Sequence, residues 1–215
     1  MRMSQRNSIS MLNECARNHL DVHTSLSGKR SFGAYDLLGD PDSFGRGDAM
    51  MPNLIGGRMF SSTVEKMFPK KANSPQSAEE FLLHAIREYL KSTAVKNQTF
   101  LDMEFDEWSE KIDPLVSAIE GVRWVGYSKL SKMLHRKRPN LVPIHDSRLR
   151  AFYSVDEKSL WGACHADWTA NKGLIEEWRG DRRTADGRSL SLLRTADIVI
   201  WEHMVTGCKK STASM

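Results

Sequence analysis

The sequence predicts an all-α fold, and three observations carry that reading. Apolar residues recur at helical spacing in the clearest patterned stretches, capping residues open those stretches, and strand-type alternation is weak. With 215 residues, 40% hydrophobic and 27% charged, the chain has the composition to build one core and is not a disordered segment. One globular unit is expected, a two-lobed single helical domain over 31–215 preceded by an N-terminal helical extension over 1–30.

The elements follow in order. Ile9, Leu12, Ala16 and Leu20 place one weak apolar face on the stretch ending near Ser25, which reads as an added helix. From Gly39 to Gly57 there are five glycines, and four of the seven prolines fall between Pro41 and Pro75. This segment reads as a long irregular connection. Ser77 followed by Glu80 is a capping box. Behind it Phe81, Leu82, Ala85, Ile86, Tyr89 and Leu90 give a helix over about 78–92. Asp113-Pro114 reads as an N-cap followed by proline at the first helical position. It opens a short helix with Leu115, Ala118 and Ile119 on one face, stopped by Gly121. Leu193, Ala196, Ile200 and Met204 mark a last helix from about Ser189 to Val205.

No apolar run is long enough for a membrane span, and Met1 to Asn7 is polar with no apolar stretch behind it. The three cysteines, Cys15, Cys164 and Cys208, are far apart, which excludes a dense disulfide framework and a four-thiolate cluster. A reducing, cytoplasmic setting is expected. His165 beside Cys164 lacks partner spacing for zinc, and there is no phosphate-binding loop or dinucleotide fingerprint, so no metal and no cofactor are expected.

Net charge is +4, but its distribution is uneven. Between Arg123 and Arg150 there are eight Lys/Arg and one acid, Asp146, which is +7, leaving 4 − 7 = −3 for the rest of the chain. A local basic block on a nearly neutral protein points to a polyanion-contacting surface; a solvated helix face is the plain alternative.

The block overlaps the most specific stretch, Ile119 to Phe152. It reads as a short helix, a glycine turn at Gly121-Val122-Arg123-Trp124-Val125-Gly126, a second helix, a proline-bounded piece at Leu141-Val142-Pro143-Ile144, and Asp146 at the start of another helix. A helix N-terminus exposed at a glycine turn leaves backbone N–H groups free to hold a phosphate. Lys129, Lys132 and Arg136 lie at spacings that would run along a nucleic-acid backbone.

This segment resembles the helix-hairpin-helix unit and catalytic aspartate of the endonuclease III-like DNA glycosylases. Glu120 to Tyr127 stands at the hairpin, within about 114–136, and Ile144-His145-Asp146-Ser147-Arg148 at the aspartate. It is also similar to a small bacterial group with a Gly-Val-x-Trp-Val hairpin and an Arg-Lys-Arg-Pro segment. The resemblance covers about 35 residues and implies double-stranded DNA as partner for a monomeric enzyme. Asp146 would be the catalytic carboxylate, assisting departure of a flipped base. Gly121, Arg123, Trp124, Gly126, Lys129, Lys132, Arg136, Lys137, Arg138 and Arg148 would contact DNA, with Tyr127 and His145 near the base.

Arg123 replaces the second hairpin glycine of that family. Val125 stands where strand-cleaving members carry a Schiff-base lysine, so the resemblance implies a monofunctional glycosylase. A modified base, possible in a defence setting against phage-type modification, would be the substrate. The reading from another class is a non-catalytic hairpin module in a complex or regulator. A base-sized cavity with an aromatic wall beside Asp146 would favour the enzyme. Asp146 also reads as a plain helix cap, Asp197 as the partner of an arginine or a second carboxylate, and Trp161, Trp168 and Trp178 as core.

Overall fold

The computed structural model describes residues 7–24, 30–37, 39–69, 77–92 and 96–208. Among them the fold is all-α, with eleven α-helices: α1 (Asn13–Thr24), α2 (Arg30–Tyr35), α3 (Arg46–Met50), α4 (Ser61–Met67), α5 (Ala78–Lys91), α6 (Phe105–Glu120), α7 (Tyr127–Lys137), α8 (Ser147–Tyr153), α9 (Leu160–Ala170), α10 (Lys172–Arg179) and α11 (Leu192–Thr206). Short 3-10 turns at Ile9–Leu12, Met51–Ile55 and Phe100–Asp102 join them. One isolated antiparallel bridge, Arg183 with Ser189, is the only extended pairing among the described residues. No helix of the described residues is long and apolar enough to cross a membrane.

The capping box at α5 forms as its residues dictate. The Ser77 hydroxyl accepts from the Glu80 amide at 3.2 Å, and the Ser77 amide donates to the Glu80 carboxylate at 2.8 Å. Leu82, Leu83, Ile86, Tyr89 and Leu90 then turn inward, while Phe81 stays exposed.

Pro114 does not open a helix. It lies inside α6, which starts at Phe105 behind Glu104. A proline there removes one backbone hydrogen bond, and burial of Trp108 and Ile112 before it and of Leu115, Ala118 and Ile119 after it carries the helix through. The hairpin therefore runs from 105 to 137 rather than from about 114. The glycine-rich segment is also more ordered than its composition suggests, since it holds α3 and the turn at Met51–Ile55. Gly57 is required there: a Cβ at that position would overlap the Pro52 ring and lie 2.7 Å from its carbonyl oxygen.

Helix α11 packs on α1, α8 and α10, helix α5 packs on α4 and α6, and both groups share one continuous core. The N-terminal helix is part of that core and not an appendage. Ile9, Leu12, Cys15, Ala16 and Leu20 are buried, and the Ile9 amide donates to Asp167 at 2.7 Å. Trp161, Trp168 and Trp178 are core residues, as is Trp108. Each indole N–H is satisfied, by the carbonyls of Pro143 and Leu141, the Tyr153 hydroxyl and the Asn13 side chain, as buried tryptophan requires.

Candidate active site

The turn between α6 and α7 builds an exposed aromatic and cationic tip. Val122 and Val125 are buried and pin the turn to the core. The residues between them are pushed outward, and Trp124 takes a left-handed backbone, φ 72°, with 59% of its surface exposed. The Arg123 guanidinium lies 4.9 Å from the Trp124 ring centre. The Phe60 ring meets Trp124 edge-on at 6.1 Å, and the Lys129 ammonium sits 5.5 Å over Phe60 while donating to the Trp124 carbonyl. Gly126 starts α7 in extended backbone with no side-chain cap. Of the residues expected on DNA, Gly121, Arg123, Trp124, Gly126 and Lys129 thus belong to this turn and its flank. Phe60 comes from the connection after Gly57, where no periodicity singles it out.

The remaining basic block is not a surface. Lys132, Arg136, Lys137 and Arg138 are all buried. Lys132 pairs with Asp146 at 3.0 Å, Arg136 with Asp48, Lys137 with Asp48 at 2.8 Å, and Arg138 with Asp42 at 2.9 Å. Lys137 and Arg138 also donate to the carbonyls of Asp40 and Pro41, both at 2.8 Å. The glycine-rich segment lies along the C-terminal end of α7 and supplies the counter-charges of Arg136, Lys137 and Arg138. These four cations are consumed inside the fold and present no face to a phosphate backbone. Arg148 is half-buried, its guanidinium 4.3 Å from the Trp201 ring centre.

His145 and Tyr127, expected near the base, pack on each other and on Trp161, with His145 buried and Tyr127 half-buried. His145 is buried, its ring nitrogen 2.8 Å from the Glu157 carbonyl oxygen and its amide donating to the Ser131 hydroxyl at 2.8 Å. The Tyr127 ring packs on His145 at 5.3 Å and on Trp161 at 5.4 Å.

Asp146 caps α8, accepting from the Arg148 amide at 3.0 Å. It therefore does what its sequence position allows at minimum, but its surroundings go further. Asp146 lines a narrow cleft with Lys132, Arg194, Asp197, Ile144, Ile198, Ile55, His23 and the Trp201 ring. The cavity is about 10 Å³, room for about one water.

Two carboxylates on this cleft are driven in opposite directions. Burial alone would raise the Asp146 pKa, but the Lys132 ammonium, the Arg148 amide and the Arg148 charge outweigh it and hold it below its ordinary value. Asp197 is fully buried. Desolvation and the nearby Asp146 charge raise it to about 6 even though Arg194 beside it pulls the other way. Arg194 is shared with Asp36 at 2.9 Å, and Asp197 Oδ1 has no hydrogen-bond partner among the described residues. A carboxylate held below its ordinary pKa beside one raised to about 6 is the arrangement that separates base and acid roles at one site in mildly acidic solution.

Metal-ligating side chains gather elsewhere among the described residues, beyond the cleft at the end of α11.

A family model described as "Family of unknown function (DUF6308)" matches residues 72–204, and the chain belongs to that family. The matched span contains the hairpin, Asp146 and Asp197. No curated protein and no solved structure matches the chain.

Proposed function

We propose that this DUF6308 protein binds double-stranded DNA through the hairpin tip and hydrolyses the N-glycosidic bond of a modified base as a monofunctional glycosylase. The fold this reading assumes is a helix-hairpin-helix glycosylase fold, with α6 and α7 as the hairpin and α8 as the helix behind the catalytic aspartate. The single observation that carries it is the pair Asp146 and Asp197 on one cleft with their pKa values pushed apart.

In that role the Asp146 carboxylate faces the positive charge that develops at C1′ as the base leaves, and orients the attacking water. Asp197, protonated below about pH 6, is the group able to give a proton to the departing base. Trp201 offers a ring face for stacking once the Arg148 guanidinium lifts from it. Val125 is buried in the turn and offers no amine, and the amine on the cleft, Lys132, is engaged by the Asp146 carboxylate at 3.0 Å, so this reading includes no covalent adduct. Trp124, exposed at the tip, is placed to wedge into a duplex.

A second reading has its own observation. The cleft is too small for a base as it stands, which favours a hairpin module that binds DNA without reacting.

The test uses DNAs carrying a panel of modified bases, with mass spectrometry for released base and abasic sites. Asp146→Asn leaves Lys132 buried without its counter-charge, which costs about 3–5 kcal/mol of stability. The double variant K132M/D146N removes both charges and should recover most of that loss. Base release by this folded double variant should fall on the order of a hundredfold or more. Wild-type release from the double variant would make Asp146 a structural cap. Duplex binding with no release from any substrate would establish the non-catalytic module.

A further inference from the structure

We propose that the reduced protein holds one zinc ion on Cys15, His19, His203 and Cys208, and that the Cys15–Cys208 disulfide is the metal-free, oxidised form of the same clamp. The inference does not depend on the glycosylase reading.

Cys15 and His19 are four residues apart on α1, so they share one face of it, and both are buried. His203 lies in the last turn of α11. Gly207, at φ 66°, ends that helix while its amide still donates to the His203 carbonyl at 2.8 Å. This turn returns the chain so that the Cys208 sulfur lies 3.4 Å from His203 Nδ1. Two thiols and two imidazoles, from helices that pack directly on each other, thereby converge. One ligand atom from each residue lies within 4.8 Å of all the others. A tetrahedral site with Zn–S near 2.3 Å and Zn–N near 2.0 Å has ligand-to-ligand edges of roughly 3.3–3.8 Å, so rotamer adjustments close the set once the sulfurs are free.

A separate observation points to a ligand. His19 Nε2 is buried and has no hydrogen-bond partner among the described residues. A ring nitrogen left unsatisfied in a core costs stability, and a cation between it and the two sulfurs removes that cost. Two thiolates and two imidazoles in a closed tetrahedral set favour zinc over magnesium, calcium or square-planar copper. With all four positions protein-derived, the site is structural.

The chemistry balances. The structure joins Cys15 and Cys208 as a disulfide. A dithiol reductant delivers two electrons and two protons to that bond, yielding two thiols and becoming a disulfide itself. Zinc then displaces the two thiol protons to solvent. In the reverse direction hydrogen peroxide takes two electrons from the zinc-bound thiolates. With two protons it leaves as two waters, the S–S bond re-forms, and Zn²⁺ is released.

The site also has a position that matters. His23, one turn beyond His19, lines the cleft, as do Trp201 and Asp197 on α11. The metal would fix the two helices whose next turns form the cleft wall.

The experiment is metal analysis of the full-length protein purified under dithiothreitol, followed by cobalt titration of the metal-free reduced chain. One zinc per chain is expected, with the intense visible bands of tetrahedral cobalt and a thiolate charge-transfer band. Peroxide should release the metal stoichiometrically as the disulfide forms. Cys208 is exposed, so Cys208→Ser should fold and keep about half the charge-transfer intensity, with weakened zinc retention. Wild-type reduced protein that takes up no zinc, or a cobalt complex lacking the charge-transfer band, overturns the site. So does a Cys208→Ser spectrum identical to wild type.

Discussion

On folding, the Asp197 carboxyl leaves water for a site closed by α11, Lys132 and Asp146, and its pKa rises from 3.8 to about 6. A folded-state value above the unfolded one means that the native state binds a proton the unfolded chain lacks between about pH 4 and pH 6. This contribution to stability is therefore greatest below the unfolded value and is lost as pH rises through about 6. Asp36 is raised by burial too, and Asp146 is lowered, so total stability mixes both signs. The clean quantity is the unfolding free energy of wild type minus that of Asp197→Asn. It should grow as pH falls from 7 to 4, by on the order of 1 kcal/mol per pH unit, in denaturant titrations across that range. A flat difference would mean that Asp197 is ionised throughout.

At this scale the sequence made Asp146 legible, because an acid before a helix start is a local signal. The pairing of Asp197 with an arginine was legible as well, since Arg194 is one turn away. The burial of Lys132, Arg136, Lys137 and Arg138 was not. Their counter-charges include Asp48, which is 88 residues from Arg136, and no window of sequence relates the two.

Elements were legible where their signals are local and agree. The α5 capping box and the apolar stripe behind it set its boundaries to within a residue. At Asp113-Pro114 the local signal and the packing disagree, and the packing of Trp108 and Ile112 prevails. The hairpin is intermediate: its glycines mark the turn, but only the fold shows that Phe60 joins Trp124, Arg123 and Lys129 in one exposed patch. That patch carries the DNA-binding prediction. Arg123→Ala with Lys129→Ala should lower duplex affinity and flatten its salt dependence by about 0.9 in the slope of log K against log salt for each phosphate no longer neutralised. Trp124→Ala should weaken binding with the slope unchanged, because stacking is not ionic. Lys137→Ala should instead lower thermal stability and leave the slope of the folded protein alone. Fluorescence anisotropy at several salt concentrations, with melting curves, separates these outcomes. An unchanged slope in the Arg123 and Lys129 double variant would remove the tip as the DNA surface.

The whole molecule is one core into which the first helix is built, and this was the least legible feature. Four apolar residues on one face say that a helix forms, not which surface receives it. The same holds for Cys15 and His19, whose partners stand at the other end of the sequence.

The covalent link from Cys15 to Cys208 encloses a sequence separation of 193 residues, and this closes the chain between them into a ring. A pulling force applied to the chain before Cys15 and after Cys208 then passes through the first turn of α1 and the two sulfurs, and bypasses the helices between them. Under tension the chain between the two cysteines should not lengthen while the disulfide is intact. After reduction in the presence of a chelator, the same pull loads the core. When the core yields, about 650 Å of hidden length should be released, at roughly 3.4 Å per residue. Single-molecule force spectroscopy reads both lengths, and a core that unravels under tension with the disulfide intact would show that the two ends are not the points through which this molecule bears load.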